Sequence, residues 1–500
     1  MKLVAYVIVA LFFILWLASF YFAVNVKGRK AFIRFLYIFI FIYTLATGLF
    51  YAHQVPDASP DESAHLGYIY HLQKTGEIIP RYEDMNIFTD FVMKWSEEPN
   101  YIYVDDTVNY LCHPPLYYQI MRLAGGFEDT ETPYVVTINK MQIRYFSMFI
   151  SAIGLAIILY IGYSRLPSSK PWLHLIYAVA STSVPMLSFE LCAVTNDALC
   201  LVTTSLCILG LVRFCEERRN VLTYILIAVG ISASLLTKLT AAMLCIFMAL
   251  MVLIVTMIKE KSLSSLLNKG FFISLPIYGI ALIYYGIIYS RYGTIHPSLE
   301  LIASKEYFEN TIYYVAESAR RSFDFAGYTS YYMERFFLSW SGIETIYRFM
   351  KTYVYSLTAI PSELMWLIPA LFFTPSVKKC ANKLTLPVLA GWFSLILTFI
   401  YQFKSAYGTY ITRGYLGGFA SRYYLPFMSI FALALAIVFL GMNAENGFDS
   451  VTGITTIKSD MPTYRRRLLY NTLIYLLALA YAFILFYGNL PFFILHFTEV

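Results

Sequence analysis

Ser59-Pro60-Asp61-Glu62-Ser63-Ala64-His65 stands just behind an apolar run that ends near residue 51, and it opens a polar segment that lasts until the next apolar run begins near residue 143. Local structure could account for much of it. Ser59 suits a helix N-cap, Pro60 the first helical position, and Glu62 three residues after the cap completes an S-x-x-E capping box. Both acids would also favour the positive end of the helix dipole. A capping box leaves the Asp61 carboxylate without a task, so what Asp61 faces depends on where the flanking runs place it.

Those runs dominate the chain. Of its 500 residues 59% are hydrophobic and only 14% charged, and the mean hydropathy is +0.60, against roughly 25% charged in soluble domains. Runs of about twenty apolar residues are the unit that crosses a bilayer. Twelve are expected, at 3–24, 31–51, 143–164, 172–192, 198–214, 221–238, 240–258, 270–290, 354–375, 384–402, 422–442 and 468–488. The first is too long for a signal-peptide core and reads as a retained span. The expected fold is an all-α polytopic membrane protein, one membrane domain over 1–500 with helical outer loops. No internal repeat, low-complexity linker, P-loop or G-x-G-x-x-G after a strand is found.

Every second connection is basic: Lys27, Arg29, Lys30 and Arg34; Arg165 and Lys170; Arg213, Arg218 and Arg219; Lys259, Lys261 and Lys269; Lys378, Lys379 and Lys383; Lys458 with Arg465, Arg466 and Arg467. Lys and Arg stay on the cytoplasmic side, so these loops are placed inside and both termini outside. The net charge of +6 is spread over short loops, which excludes a nucleic-acid tract. The other connections include two long segments, 52–142 and 291–353. Residues 52–141 hold fourteen acids against five Lys or Arg. Seven Cys, with no metal-ligand spacing, read as small core residues; Cys192 and Cys200 flank a turn closely enough that they could pair.

The unusual polar residues gather on the outer side. The first outer loop carries Asp57, Asp61, Glu62 and His65, then His113-Pro114-Pro115-Leu116-Tyr117-Tyr118. Arg144 begins the third span, Asn196-Asp197 form the turn after the fourth, and Glu190 lies within that span. Thr237-Lys238 follow the sixth, and Arg422-Tyr423 begin the eleventh. Each has a plainer reading: Lys238 can snorkel, Arg144 and Arg422 can anchor at the interface, Asp197 can cap a helix, and His113-Pro114-Pro115 can break a surface helix. Together they place carboxylates and cations at one depth. That arrangement suits glycosyl transfer from a lipid phosphate, with Arg and Lys for the phosphate and a carboxylate to deprotonate an acceptor hydroxyl.

With Pro60-Asp61-Glu62, His65, the His113 to Tyr118 motif, Asn196-Asp197, Thr237-Lys238 and Arg422-Tyr423 with Pro426, the chain resembles the GT-C superfamily of polytopic glycosyltransferases. It is most like bacterial relatives of the protein O-mannosyltransferases and the lipid A aminoarabinose transferase. One departure is the span at 3–24, which precedes the span leading into the acidic loop. The resemblance implies an inverting transferase of the cell envelope that moves a hexosyl or pentosyl group from a polyprenyl-phosphate donor. Its active site would face outward from a bacterial plasma membrane, and its acceptor would be a lipid, glycan or protein. Carried over by position, Asp61 and Glu62 would be the catalytic acids, with Asp61 the base and Glu62 its neighbour or a cap. Lys238, Arg422 and Arg144 would bind the donor phosphate, and His65, His113, Tyr117, Asp197 and Tyr423 the substrate. No cofactor is expected; a divalent metal on Asp57, Asp61 and Asp197 is the alternative to two cationic side chains neutralising the phosphate. Rival readings are a polysaccharide polymerase or ligase using lipid diphosphates, and a transporter or flippase.

Overall fold

The computed structural model describes residues 2–54, 61–92, 100–263, 267–342, 359–371, 383–442 and 464–496. The chain is helical, and among the described residues eight helices are long and apolar enough to cross a membrane. Five of them are α1 (Lys2–Val24), α2 (Arg29–Gln54), α5 (Lys140–Arg165), α8 (Asp197–Cys215) and α10 (Leu239–Glu260); α11 (Lys269–Tyr292), Thr385–Arg413 and Ser421–Gly441 complete the set. The expected span 172–192 is two helices, α6 (Pro171–Thr182) and α7 (Pro185–Cys192), bent by 62°. Pro185 explains the break. Proline disfavours helical geometry in the residue before it, and Val184 is extended, at φ −69° and ψ 119°. Two further expected spans appear as shorter apolar helices, α9 (Val221–Leu235) and Thr472–Tyr487. Residues 354–358 and 372–375 of the span expected at 354–375 lie outside the described residues, and its middle is three short helical turns.

The basic connections meet at one end of this bundle. Arg165 pairs with Glu216 at 2.9 Å, Arg219 with Glu260, and Lys383 with Glu217 at 3.5 Å, so several of the basic loops are held side by side. At the other end Asp61, Glu190, Asp197, Lys238 and Arg422 come together.

The segment between α2 and α5, expected as the first outer loop, holds two short helices, α3 (Glu62–Thr75) and α4 (Leu116–Met121), and also a sheet where the sequence predicts only surface helices. Strands β1 (Asn86–Val92), β2 (Asn100–Val108), β3 (Phe127–Asp129) and β4 (Val135–Ile138) form an antiparallel sheet in the order β1-β2-β4-β3. The β-branched and aromatic content of these runs favours strands over helices. Leu66, Ile69 and Leu72, spaced to one side of α3, are buried in a core with Phe88, Phe127, Val136 and Tyr117. Gly67 permits the close approach of α3 to β1: a Cβ there would lie 2.7 Å from the Asn86 carbonyl oxygen. Asn109 then locks the end of β2 to α3. Its amide donates to the Ala64 carbonyl at 2.8 Å, and its side-chain oxygen accepts the Leu111 N–H at 2.8 Å. Tyr110, between them, is thereby aimed at the start of α3.

Candidate active site

Asp61 occupies the N-cap position of α3 in the left-handed region, φ 71° and ψ 11°, and its side chain makes no capping bond. A non-glycine residue there is uncommon, although Asp tolerates it better than most. The conformation turns the carboxylate away from the helix. One oxygen, Oδ1, accepts the Tyr110 hydroxyl at 2.6 Å; the other, Oδ2, lies 3.3 Å from an Arg422 guanidinium nitrogen. Burial raises the Asp61 pKa, but Arg422, the Tyr110 hydroxyl and His65 together outweigh it and hold the carboxyl below its ordinary value. With Asp61 the N-cap and Glu62 the first helical residue, the expected Ser59–Glu62 capping box is not the start of α3; Ser59, Pro60 and Asp57 lie outside the described residues.

Arg422 reaches three acids from three segments. It lies 3.3 Å from Asp61, 3.6 Å from Glu190 on α7 and 3.7 Å from Asp197 at the start of α8. Lys238, just before α10, meets Asp197 at 2.6 Å. The Tyr423 ring lies beneath both cations, 4.2 Å from Lys238 and 5.8 Å from Arg422, within cation–π range. Backbone ties assemble these turns. The Asn196 amide donates to the Thr237 carbonyl at 3.3 Å, and the Leu116 N–H donates to the Leu236 carbonyl at 3.0 Å, which brings the His113 to Tyr118 motif to the same place. Among the described residues, Oδ2 of Asp197 and Oδ1 of Asn196 are buried without a hydrogen bond.

Exposure is graded across the cluster. The Asp61 side chain is 36% exposed, whereas Glu190 and Asp197 are at 1% and 4% and Arg422 and Lys238 at 7%. Asp61 therefore sits at the mouth and the cations below it. His65 is buried one turn into α3, with Nδ1 2.8 Å from the Tyr118 hydroxyl and its ring stacked on that of His113. Burial pushes the His65 pKa down to about 3, with Lys238 and Arg422 adding to the shift and Asp61 opposing it. His65 is thus a neutral member of the wall. Tyr68 and Tyr82 both donate to the His113 carbonyl, at 3.0 and 3.2 Å.

Three expected site residues lie elsewhere. Glu62, adjacent to Asp61 in sequence, points into the protein: its carboxylate takes two bonds from Arg144, at 2.9 and 2.6 Å, one from the Val194 N–H at 3.1 Å, and pairs with Lys140 at 3.2 Å. Arg144 also donates to the Ala52 carbonyl at 2.7 Å. Glu62 and Arg144 are therefore spent on each other, tying α3 to α2, α5 and the turn after α7. Burial raises the Glu62 pKa, and the two cations and the Val194 N–H outweigh this to bring it to about 2. Tyr117 is fully buried, its hydroxyl 3.0 Å from Ser147, which donates to the Ala193 carbonyl; it is a packing residue between α4 and α5. Asp61 is a left-handed N-cap outside the helix and Glu62 is the first helical residue, which separates the two carboxylates.

Sequence reading missed Tyr110 as the partner of Asp61 and Lys140 as a partner of Glu62. The signal for Lys140 was its place one helical turn before Arg144; Tyr110 had none, because a β-strand end carries no mark of what it faces. The cysteines described are all free, Cys192 and Cys200 included, and Cys380 lies outside the described residues. Among the described residues no group of three or more His, Cys, Asp or Glu is placed to share a metal ion.

No family model matches the chain, and no curated protein matches it. Two solved structures are similar. One is the crystal structure of ArnT from Cupriavidus metallidurans bound to undecaprenyl phosphate, 12% identical, covering 89% of this chain and 75% of that one with a TM-score of 0.44. The other is the apo state of the same protein, 13% identical, with the same coverage and a TM-score of 0.42. A likeness at this level says nothing of individual residues.

Proposed function

We propose that this chain is a membrane glycosyltransferase that moves a sugar from a polyprenyl-phosphate donor to an acceptor hydroxyl at the outer face of the membrane. The observation that carries the reading is a partly exposed carboxylate, Asp61, directly above two buried cations, Arg422 and Lys238, at the end of the helices opposite the basic loops. A lipid phosphate presents its charge at that level. Arg422 lies 3.3, 3.6 and 3.7 Å from the carboxylates of Asp61, Glu190 and Asp197, and its planar guanidinium suits a phosphate, which it can bind through two N–H groups at once. Glu190, Asp197 and the Tyr423 ring hold Arg422 in place meanwhile.

In the proposed reaction Asp61 accepts the proton of the acceptor hydroxyl as its oxygen attacks the anomeric carbon. The bond from that carbon to the phosphate oxygen breaks, the electron pair stays on the phosphate, and Arg422 and Lys238 stabilise the charge that grows there. A single displacement inverts the anomeric centre. Asp197 and Glu190 orient the two cations.

The test uses the detergent-solubilised chain and undecaprenyl phosphate. Wild type should bind it, and Arg422→Gln or Lys238→Gln should each weaken binding by roughly 10- to 150-fold, the worth of a hydrogen bond to a charged group. Undecaprenyl-phosphate sugars should then release undecaprenyl phosphate only when an acceptor is present. Unchanged lipid affinity in both variants would overturn the phosphate assignment and bring the transporter reading forward.

A further inference from the structure

Tyr110, whose hydroxyl donates to Asp61, also lines a cavity of about 290 Å³ built from three segments distant in sequence. Tyr110 comes from the end of the first outer loop's sheet, Leu299, Phe308 and Tyr313 from the second outer loop, and Arg413 and Tyr415 from the end of the helix Thr385–Arg413. Its aromatic wall is continuous with the proposed base. The Tyr110 hydroxyl donates to Asp61, the Tyr110 and Tyr313 rings lie 5.4 Å apart, and those of Tyr313 and Tyr415 lie 5.2 Å apart. Burial and the Asp61 carboxylate raise the Tyr110 pKa, so its hydroxyl stays protonated and keeps donating.

We infer that this cavity is the acceptor subsite and that it holds one uncharged sugar ring, the ring whose hydroxyl is glycosylated. The inference rests on the proposed function. Four observations point to it. The two oxygens of Asp61 divide the site, with Oδ2 toward Arg422 and Oδ1 held by Tyr110, a residue of the cavity wall; in a single displacement the acceptor must approach opposite the leaving phosphate, which puts it on the Tyr110 side. Beside His296, Pro297 and Leu299, the lining offers the rings of Tyr110, Phe308, Tyr313 and Tyr415 and the hydroxyls of the three tyrosines, Ser298 and Thr409, a surface that packs on the C–H face of a sugar and bonds its rim. Among the described residues the one guanidinium in the wall, Arg413, is already ion-paired with Glu300 and lies over the Phe308 ring, so the wall presents no spare guanidinium for an anionic acceptor. The volume stands at the small end of ligand pockets, which begin near ~300 Å³, room for a ring and not for an oligosaccharide.

The chain also fixes the ring that closes the cavity. Tyr415 lies over Gly417, where an added Cβ would come within 2.2 Å of the Tyr415 ring. The Val315 N–H donates to the Arg413 carbonyl at 2.9 Å, pinning the second outer loop to the same helix end. That loop therefore forms a wall of the site.

The experiment is saturation-transfer NMR on the solubilised full chain with methyl pyranosides of glucose, galactose, mannose and N-acetylglucosamine, run with and without undecaprenyl phosphate. At least one glycoside should receive saturation with the lipid phosphate bound, and Tyr415→Ala should weaken it by about tenfold. Tyr415→Phe, which keeps the ring, and Gly417→Ala, which displaces it, separate loss of the subsite from loss of folding: the first should retain binding and the second should lose it. Undecaprenyl phosphate affinity should be unchanged in all three. Glycoside binding that ignores Tyr415, or that undecaprenyl phosphate carrying a sugar displaces while the bare lipid phosphate does not, assigns the ring to the donor and overturns the inference. Lipid-phosphate binding with no glycoside signal overturns it while leaving the proposed function standing; absence of lipid-phosphate binding removes both.

Discussion

Replacing Asp61 with Asn separates a base from a structural acid, because the amide keeps the shape and loses only the charge and proton affinity. The structure sets what else should change. The Tyr110 hydroxyl can bond the amide as it bonds Oδ1, and the attraction that the amide gives up toward Arg422 is that of a 3.3 Å ion pair on a side chain 36% exposed. Such a pair is worth about 0–1 kcal/mol, and Arg422 keeps Glu190 and Asp197 beside it. Folding stability and undecaprenyl phosphate affinity should therefore move by less than about fivefold in their equilibrium constants. Transfer is a different matter. A positioned general base contributes roughly 10²- to 10⁴-fold, or ~3–5 kcal/mol of barrier. The assay is release of undecaprenyl phosphate from its sugar-loaded form in the presence of acceptor, with thermal unfolding in detergent as the control. An Asp61→Asn protein that binds the lipid normally yet transfers at more than about a tenth of the wild-type rate would refute the role given to Asp61.

Glu62→Gln should behave in the opposite way, lowering stability by about 3–5 kcal/mol because Arg144 and Lys140 are left buried without their acid; a thermal shift no larger than that of Asp61→Asn would contradict the pairing. Asp61 has a depressed carboxyl pKa. It is therefore ionised throughout and above the ordinary carboxylate range and its contribution is lost only as pH falls through the lower, folded-state value, so the acid limb of kcat/KM should lie below the ordinary carboxylate range, and a limb near the ordinary histidine range would argue for a different base. His65, held near 3, should add no inflexion between about pH 5.5 and 7.5. Gly67→Ala drives a methyl toward the Asn86 carbonyl and should cost about 1–3 kcal/mol by prising α3 from β1, read as earlier unfolding together with weakened transfer, since α3 carries Asp61.

Length, apolar periodicity and loop charge determined the membrane class and the end of the bundle at which the Asp61–Arg422 cluster lies, because both follow from the cost of leaving polar groups in hydrocarbon. The positions of Asp61, Lys238, Arg422, Asp197 and Tyr423 were legible for the same reason: charges at helix ends on the face opposite the basic loops stand out against apolar runs. The direction of each side chain was not legible. Asp61 and Glu62 are neighbours in sequence and look alike as acids, yet a left-handed N-cap sends one to Arg422 and the helix sends the other to Arg144. The strands of the first outer loop, the aim of Tyr110 and the wall of tyrosines from three segments depend on contacts between residues far apart in the chain. Only tertiary packing decides those, since local sequence fixes backbone propensity but not which distant surface a side chain will meet.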